Sequence, residues 1–485
     1  MSIGIALSNA LSGLTASARA AEVVSANVAN VMTEGYARRE LGLAAQSVGG
    51  AGRGVLVTGV TRVVDQVLLS DRRLAQAAVG YRATRADFFA AIEAALGTPD
   101  SATSLGARIA GFDAALIEAA SRPDSEARLA NVLGAAQAMV AQIGSVATDL
   151  QIARQAADSR IAVEVGQLND AFARVADLNT AILAHEGAGR DATALMDQRQ
   201  QLVDQIAAIV PLREIARDHG QIALYATGGA QLLDGRAAVF GFTPAGLITA
   251  DMSLAAGSMS GLTLNGQPTA TAGSASLIAG GSLAAQFAVR DDLAPAAQMR
   301  LDAVARDLVE RFADPALDAT RAPGDPGLFT DAGGTFDPAD EAGLAQRLAL
   351  NSLVDPAQGG ALWRLRDGLG AVAPGPPGNS ALLTALQSAL IAPRQPVSGR
   401  FMTGARSFST LATDLLSGVA SARLGAEAEA SFATAKTDTM KQQELENGVD
   451  TDQEMQKLLL IEQAYSASAK VVQAVDDMIK TLLGI

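Results

Sequence analysis

Cysteine is absent from this chain of 485 residues, which removes disulfides, thiolate metal sites and cysteine nucleophiles, though it assigns no compartment. Histidine occurs only as His185 and His219, far apart and each in a stretch that reads as a turn. A metal site wants three or four convergent ligands, so neither imidazole is expected to be a ligand or a catalytic base. No nucleophile with a placed base is visible, and no cofactor is expected. Rings are scarce: 4% of residues are aromatic against 49% apolar. The core must then be Ala, Leu and Val at close range, which suits helices better than large sheets. Lysine appears only as Lys436, Lys441, Lys457, Lys470 and Lys480, with arginine carrying every earlier positive charge. The net charge of -14 repels phosphate backbones and anionic bilayers, so nucleic acid is not an expected partner. No run approaches the roughly 18 apolar residues of a membrane span. The apolar start, Ile3 to Leu14, has no basic residue before it and is interrupted by Ser8, Asn9 and Ser12. A cleaved signal peptide is therefore not expected.

What is present is most regular at the two ends. Leu458, Ile461, Tyr465, Ser468, Val472, Val475, Ile479 and Leu482 alternate spacings of three and four, the period that keeps a seam on a partner helix, and Ala464, Val471, Met478 and Ile485 widen it. Thr451 and Glu454 have the spacing of a capping box. The best matching surface is at the other terminus: Ile3, Leu7, Ala10, Leu14, Ser17, Ala21, Val24, Val28 and Val31 follow the same alternation. Two ordinary amphipathic helices on one core would show such stripes as well. Their position at the extreme termini, where chains normally fray, favours a pair of ends packed on each other.

Between the ends the texture changes several times. After the first helix, Gly35 reads as a stop, with Asn30 and Thr33 able to bond the last free carbonyls. Leu41, Leu43, Val55, Val57 and Val60 alternate around a glycine-rich turn at 49–54, a β-hairpin. Gly50, Gly52 and Gly54 join two strands and open no helix, so a phosphate loop is not expected. From 63 to about 210 the chain reads as helices, ended at Gly97, Arg122-Pro123-Asp124 and Pro211; the longest, from Ser125 toward His185, is expected to be broken. Turns at Asp218-His219-Gly220 and Asn265-Gly266 mark a β-rich stretch. Helix returns at Pro295 to Phe312, at Ser380 to Ile391 and from about Phe401 to Asn447. Asp314, Asp318 and Asp325 lie in a loop without the spacing of a calcium site.

The expected class is mainly α with a β-rich inserted domain. Residues 1–35 plus 450–485 form a coiled-coil-like terminal helix pair, and 36–211 plus about 400–449 form a helical-bundle middle domain with a hairpin near 37–62. About 212–290 is the β-rich outer domain, and 291–399 is a mixed helix and loop region. The seam expected to drive self-assembly is Leu7, Leu14, Ala21, Val24 and Val28 against Leu458, Ile461, Tyr465, Val472, Val475, Ile479 and Leu482.

The stretch Asn27, Asn30, Thr33, Gly35, Tyr36 and Arg38, followed by the Gly52 to Arg62 hairpin, resembles the N-terminal signature of flagellar rod, hook and hook-associated proteins. Gly448 to Met455 and Gln463-Ala464-Tyr465 are similar to the C-terminal pattern of that group. Asp197-Gln198-Arg199, within Leu195 to Asp204, and Ser121 to Asp124 point within it to the hook-associated members. The resemblance implies an extracellular structural subunit without enzymatic activity, exported without a cleaved signal peptide, that joins hook to filament. It implies as partners copies of itself in a ring, the hook protein, other hook-associated proteins and an export chaperone on the C-terminal segment. The alternatives are a rod or hook protein, which shares the terminal patterns, and a helical coiled-coil binding or signalling module. The termini are further expected to be mobile in the monomer and to order when neighbours cover them.

Overall fold

The computed structural model describes residues 3–33, 35–48, 51–273 and 275–484. It is mainly helical, with small antiparallel sheets inserted between long helices. The chain opens with α1 (Ile3–Ala29) and passes through Asn30 and Gly35 into an antiparallel ribbon of β1 (Arg39–Val48) and β2 (Ala51–Arg62). The second strand begins at Ala51, earlier than the glycines at 49–54 suggest, and Gly49 and Gly50 lie outside the described residues. Gly54 is needed instead for close approach, since a side chain there would overlap Ser12 of α1. The Ser12 hydroxyl accepts the Val55 N–H at 3.1 Å, fixing the ribbon on the helix.

Four helices follow the ribbon in the body. Helix α2 (Gln66–Leu96) starts on Asp65, whose carboxylate accepts from the N–H groups of Val67 and Leu68, and α3 (Leu105–Ser121) starts on Ser104 in the same way. The third, α4 (Glu126–Gly187), runs 62 residues without the expected break, because no proline interrupts it and its buried stripe is continuous from Leu129 to Ile182. By length and composition α4 is apolar enough to cross a membrane, contrary to expectation. Its apolar side chains, among them Val132, Met139, Ile143 and Leu150, are however the stripe buried in the core. His185 sits on its last turn rather than in a loop, Nδ1 3.3 Å from the Asp191 carbonyl. The fourth, α5 (Thr193–Ile209), ends before Pro211.

The β-rich stretch holds two small sheets. Strands β3 (Leu212–Ala216), β4 (Ile222–Ala226), β5 (Gln231–Asp234) and β6 (Arg236–Ala237) pair in chain order, as do β7 (Phe240–Gly241), β8 (Leu262–Leu264) and β9 (Gln267–Thr269). Helix resumes earlier than Pro295: α6 (Ser282–Ala288) widens into a π turn at Val289–Leu293 and continues as α7 (Ala294–Ala313). Proline offers no N–H and its ring crowds the carbonyl four residues back, so the ladder loosens just before it instead of ending. After β10 (Phe329–Asp331), α8 (Leu344–Arg347), β11 (Leu348–Leu350), α9 (Arg364–Asp367) and α10 (Ala381–Ile391) comes α11 (Phe408–Glu446). It begins on its Ser407 cap rather than near Phe401, since Gly404 at φ 140° and the bridge between Arg394 and Arg406 hold 400–406 out of helix. Asp314, Asp318 and Asp325 spend their carboxylates on backbone N–H groups of Ala316, Thr320 and Ala322.

Helices α2 and α11 run antiparallel, joined by Arg72 to Glu444 at 2.6 Å, Arg85 to Glu429 at 3.5 Å and Arg423 to Glu93. Two hydrophobic cores divide the body across α4. One joins its first half to α3, α7, α10 and the start of α11, so that 291–399 shares a core with the helical block. The other joins its second half to α5, α6 and the small sheets. Between them lies a charged layer: Arg290, fully buried, donates to Asp158 at 2.7 Å and Asp291 at 2.8 Å, while Arg154 donates to the carbonyls of Arg290, Thr249 and Met252. The rings of Phe242 and Phe287 cover the Arg290 guanidinium.

Glu164 on α4 is the carboxylate this packing treats worst. Burial pushes it up to about 7, against the pull of a Ser282 hydrogen bond and of Arg160. A raised carboxyl pKa means that the native state holds the proton more tightly, so the stability tied to it is present below the unfolded value and lost as pH rises through about 7. Glu164→Gln should therefore leave stability nearly unchanged at pH 5 and raise it at pH 8; urea unfolding at both pH values checks this, and equal effects at the two would contradict it.

Candidate assembly site at the paired termini

The last described helix, α12 (Thr451–Leu483), packs along α1. Asn27 meets Glu454, and a Cβ on Gly13 would stand 2.9 Å from Ser468 Oγ, so the two ends run antiparallel. Ala10, Ser17 and Val24 of the N-terminal stripe are buried, with Leu14, Ala21 and Val28 half-buried. On α12 the half-buried line is Leu458, Ile461, Ser468, Val472 and Ile479, with Val475 buried. Three positions expected in the seam stand off it: Leu7 is at the margin of exposure, Tyr465 is 48% exposed and Leu482 75%. Ala464, Val471 and Met478 are exposed as well, and Ile485 lies outside the described residues.

The root of the pair is polar. The Asn27 side chain, fully buried, donates to the Arg39 carbonyl and to Glu454 Oε2, both at 2.9 Å, and accepts from the Tyr36 hydroxyl at 2.8 Å and the Arg39 N–H at 2.9 Å. The capping box expected at Thr451 does not form. Asp450 caps α12 through the N–H groups of Asp452 and Gln453, leaving Glu454, 1% exposed, for Asn27 and for Lys457 at 2.7 Å. Burial pushes the Tyr36 phenol up, with the Arg39 guanidinium beside its ring pulling the other way and Asp197 and Glu454 adding to the rise. Helix α1 ends at Ala29 rather than at Gly35; Asn30 donates to the Ala26 carbonyl, and Thr33 bonds the Asn30 side chain instead of a carbonyl. Gly35 is required twice over, by φ 78° and by Gln201, whose Cγ a Cβ there would approach to 2.7 Å.

One face of α5 receives this root. Asp197, Gln200 and Asp204, spaced three and four apart, all point at arginines. Asp197 accepts from the Ala37 N–H at 3.3 Å, Arg62 Nε at 2.8 Å and an Arg39 amino group at 2.9 Å. Gln200 accepts from Arg62 at 2.6 Å, and Asp204 from Arg72 and Arg73, each at 2.6 Å. Arg73 also reaches Glu214 at 2.7 Å. Arg199 turns the other way, donating to Asn179 at 2.8 Å and to the Gly220 carbonyl at 2.7 Å. Burial brings its guanidinium down to about 10.

The signature residues thus separate. Asn27, Tyr36 and Asp197 converge on one joint, Arg199 braces the turn after β3, Arg38 reaches Glu40 at 3.2 Å, and Thr33, Gln198, Gln463 and Ala464 face solvent. Sequence reasoning missed Gln200, Asp204, Arg39, Arg72 and Arg73. The spacing of acceptors on α5 was the available signal.

Compared with known proteins, residues 7–36 match the flagella basal body rod protein family and 442–485 the flagellar basal body rod FlgEFG protein C-terminal family. The two ends similar to these families are the ones packed on each other. Residues 89–328 match the flagellar hook-associated protein FlgK helical domain. Flagellar hook-associated protein 1 of Salmonella typhimurium is 32% identical over 241 residues, 48% of this chain and 43% of that protein. The Escherichia coli protein of that name is 29% identical over 239 residues, with the same coverage. In these matches the chain spans less than half the length of its curated relatives. The structure of the flagellar hook junction protein FlgK from Burkholderia pseudomallei is similar at a TM-score of 0.44 and 19% identity, covering 54% of this chain and 46% of that one. Over about half of its length the chain is thus similar to hook-associated protein 1.

Removing Asn27 leaves one oxygen of the buried Glu454 carboxylate without its donor, and the Tyr36 hydroxyl and Arg39 N–H without their acceptor, at once. Asn27→Ala should weaken the terminal pair by about 1–3 kcal/mol, read as lost hydrogen-exchange protection in α1 and α12 with α3 and α10 unaffected. Asn27→Asp should be worse than Ala, because it sets a second carboxylate against Glu454; the reverse order would show that this hydrogen bond does not hold the pair.

Proposed function

We propose that the chain is a structural subunit of the bacterial flagellum that stands between hook and filament and assembles through its paired termini. The observation that carries this is the apolar surface that one copy leaves uncovered on α12, with Met455, Leu459, Leu460, Tyr465, Met478 and Leu482 all exposed along a helix already packed on its other side. Six large apolar side chains left exposed on one helix are more than packing within a single copy accounts for, and such exposure marks an interaction site. The partners that complete it are neighbouring copies, then the hook protein and further hook-associated proteins. The subunit acts outside the cell, exported without a cleaved signal, with an export chaperone on its C-terminal segment. We read it as having no enzymatic activity, cofactor or metal. Within the fold we assign 1–35 plus 450–485 to the polymer's inner layer, 36–211 plus about 400–449 to the helical body, about 212–290 to the outer surface and 291–399 to the body by its shared core. A rod or hook protein finds support only in the two terminal matches, and the match over 89–328 favours the junction reading.

Cells producing the chain without residues 465–485 should build hooks and shed filaments into the medium; attached filaments on such cells would defeat the proposal. Leu459→Glu with Leu460→Glu should do the same without lowering the thermal stability of the isolated chain, since both side chains are exposed in one copy. If the termini order only on assembly, amides from Leu7 to Val28 should exchange quickly in dilute solution and slowly in the assembled flagellum. Strong protection in the dilute monomer would reject that part.

A further inference from the structure

The terminal unit, comprising α1, the β1–β2 ribbon and α12, is joined to the body differently from the way the body is joined to itself. Neither hydrophobic core takes in a residue of 3–62 or 451–484 among those described. The covalent links are the short segments 63–65 and 447–450. Across the joint, Ala37, Arg39 and Arg62 of the terminal unit all donate to the single Asp197 carboxylate of α5. Open space flanks this contact on both sides: a cleft of about 820 Å³ bordered by Gly35, Gln76 and Gln205, and one of about 910 Å³ bordered by Arg19, Val64 and Met196.

A carboxylate has about four acceptor positions spread over two oxygens, so donors fanned around it keep their bonds through modest rotation. Apolar interdigitation would lock one orientation, and among the described residues neither core extends across this joint. We infer that Asp197 is a positioning residue, the pivot that sets the angle between the terminal unit and the helical body. The pull of Arg39 on one oxygen against Arg62 on the other defines that angle, and the clefts give the unit room to turn when a donor is lost. The angle decides how the terminal faces are presented to neighbouring copies, and only that consequence rests on the assembly proposal.

The absence of cysteine makes the test clean, because two introduced thiols are the only ones to carry spin labels. Labels at Ser25→Cys on α1 and Ser159→Cys on α4, both exposed positions, report the angle in the isolated full-length chain. A control pair at Ser159→Cys and Ser388→Cys reports the body alone. In the otherwise unaltered chain the first pair should give one narrow distance distribution. Asp197→Ala should shift and broaden it, with Asp197→Asn in between, while the control pair and the helical circular dichroism stay as they were. An unchanged first distribution overturns the inference, as does equal broadening in both pairs from Asp197→Ala together with a normal first distribution for Arg39→Ala with Arg62→Ala. The arginine pair of changes removes the donors and leaves α5 intact, so it decides the matter should Asp197→Ala unsettle the body. None of these readings depends on whether the chain polymerises.

Discussion

A carboxamide has two hydrogens to give and two lone pairs to fill, and at Asn27 all four are used inside the protein. Those bonds tie the end of α1 to the start of α12, to the Tyr36 ring and to both backbone groups of Arg39. Only Gln shares this carboxamide, and its extra methylene would displace it from these partners. A carboxylate has no N–H to offer Glu454, and a shorter or apolar side chain would leave the buried Oε2 of Glu454 without its donor. The rest of the terminal unit depends on this junction. Register along the α1 and α12 stripes is weakly specified by small Ala and Ser side chains, and a polar contact at one end fixes where the zipper begins.

The same device recurs wherever parts of this chain meet. Asp197 and Asp204 gather arginines from the ribbon and from α2, and Asp158 and Arg290 sit between the two cores. With rings at 4% of residues, aromatic contacts such as those among Phe112, Phe312 and Phe329 lock segments at only a few places. Arginine takes over that geometric task. Its planar fork and fixed charge specify direction, which Ala and Leu contacts do not. Each such contact costs desolvation, so they gather in small networks at joints while apolar side chains fill the interior between them.

Periodicity made much of this readable. Most of the terminal stripes, the helix start at Ser125, the stops at Gly97 and Pro211 and the turns at Gly220 and Gly266 are local features, and the fold follows them. The missed features are those decided at a distance. Glu454 stands three residues after a threonine, which satisfies a capping pattern, while its real partner is 427 residues away. Asp450 is as good a cap by type, and nothing local says that Glu454 is spoken for. The Asp197-Gln198-Arg199 run was read as one unit, yet on a helix adjacent residues face different ways, and the working set is Asp197, Gln200 and Asp204. Helix length misled in the other direction. A 62-residue helix is rare in isolation, but a continuous buried stripe supplies what propensity does not.

The two halves of the terminal pair are not equivalent, and the difference bears on what covers them. Helix α1 carries only Arg19 and Glu22 as charges over its 27 residues, and these already pair with each other at 2.9 Å. It also holds the ribbon through Ser12 and Gly54, so two of its sides are occupied by this chain. Helix α12 has one occupied side, and its free surface mixes Leu459, Leu460 and Met478 with Glu462, Lys470 and Asp477. Burying all of that surface would desolvate charges without partners, which costs more than the apolar contacts return. A neighbour that covers the apolar strip and leaves the charged one in water avoids the cost. Under the proposed assembly α12 is therefore half covered, with one wet face remaining.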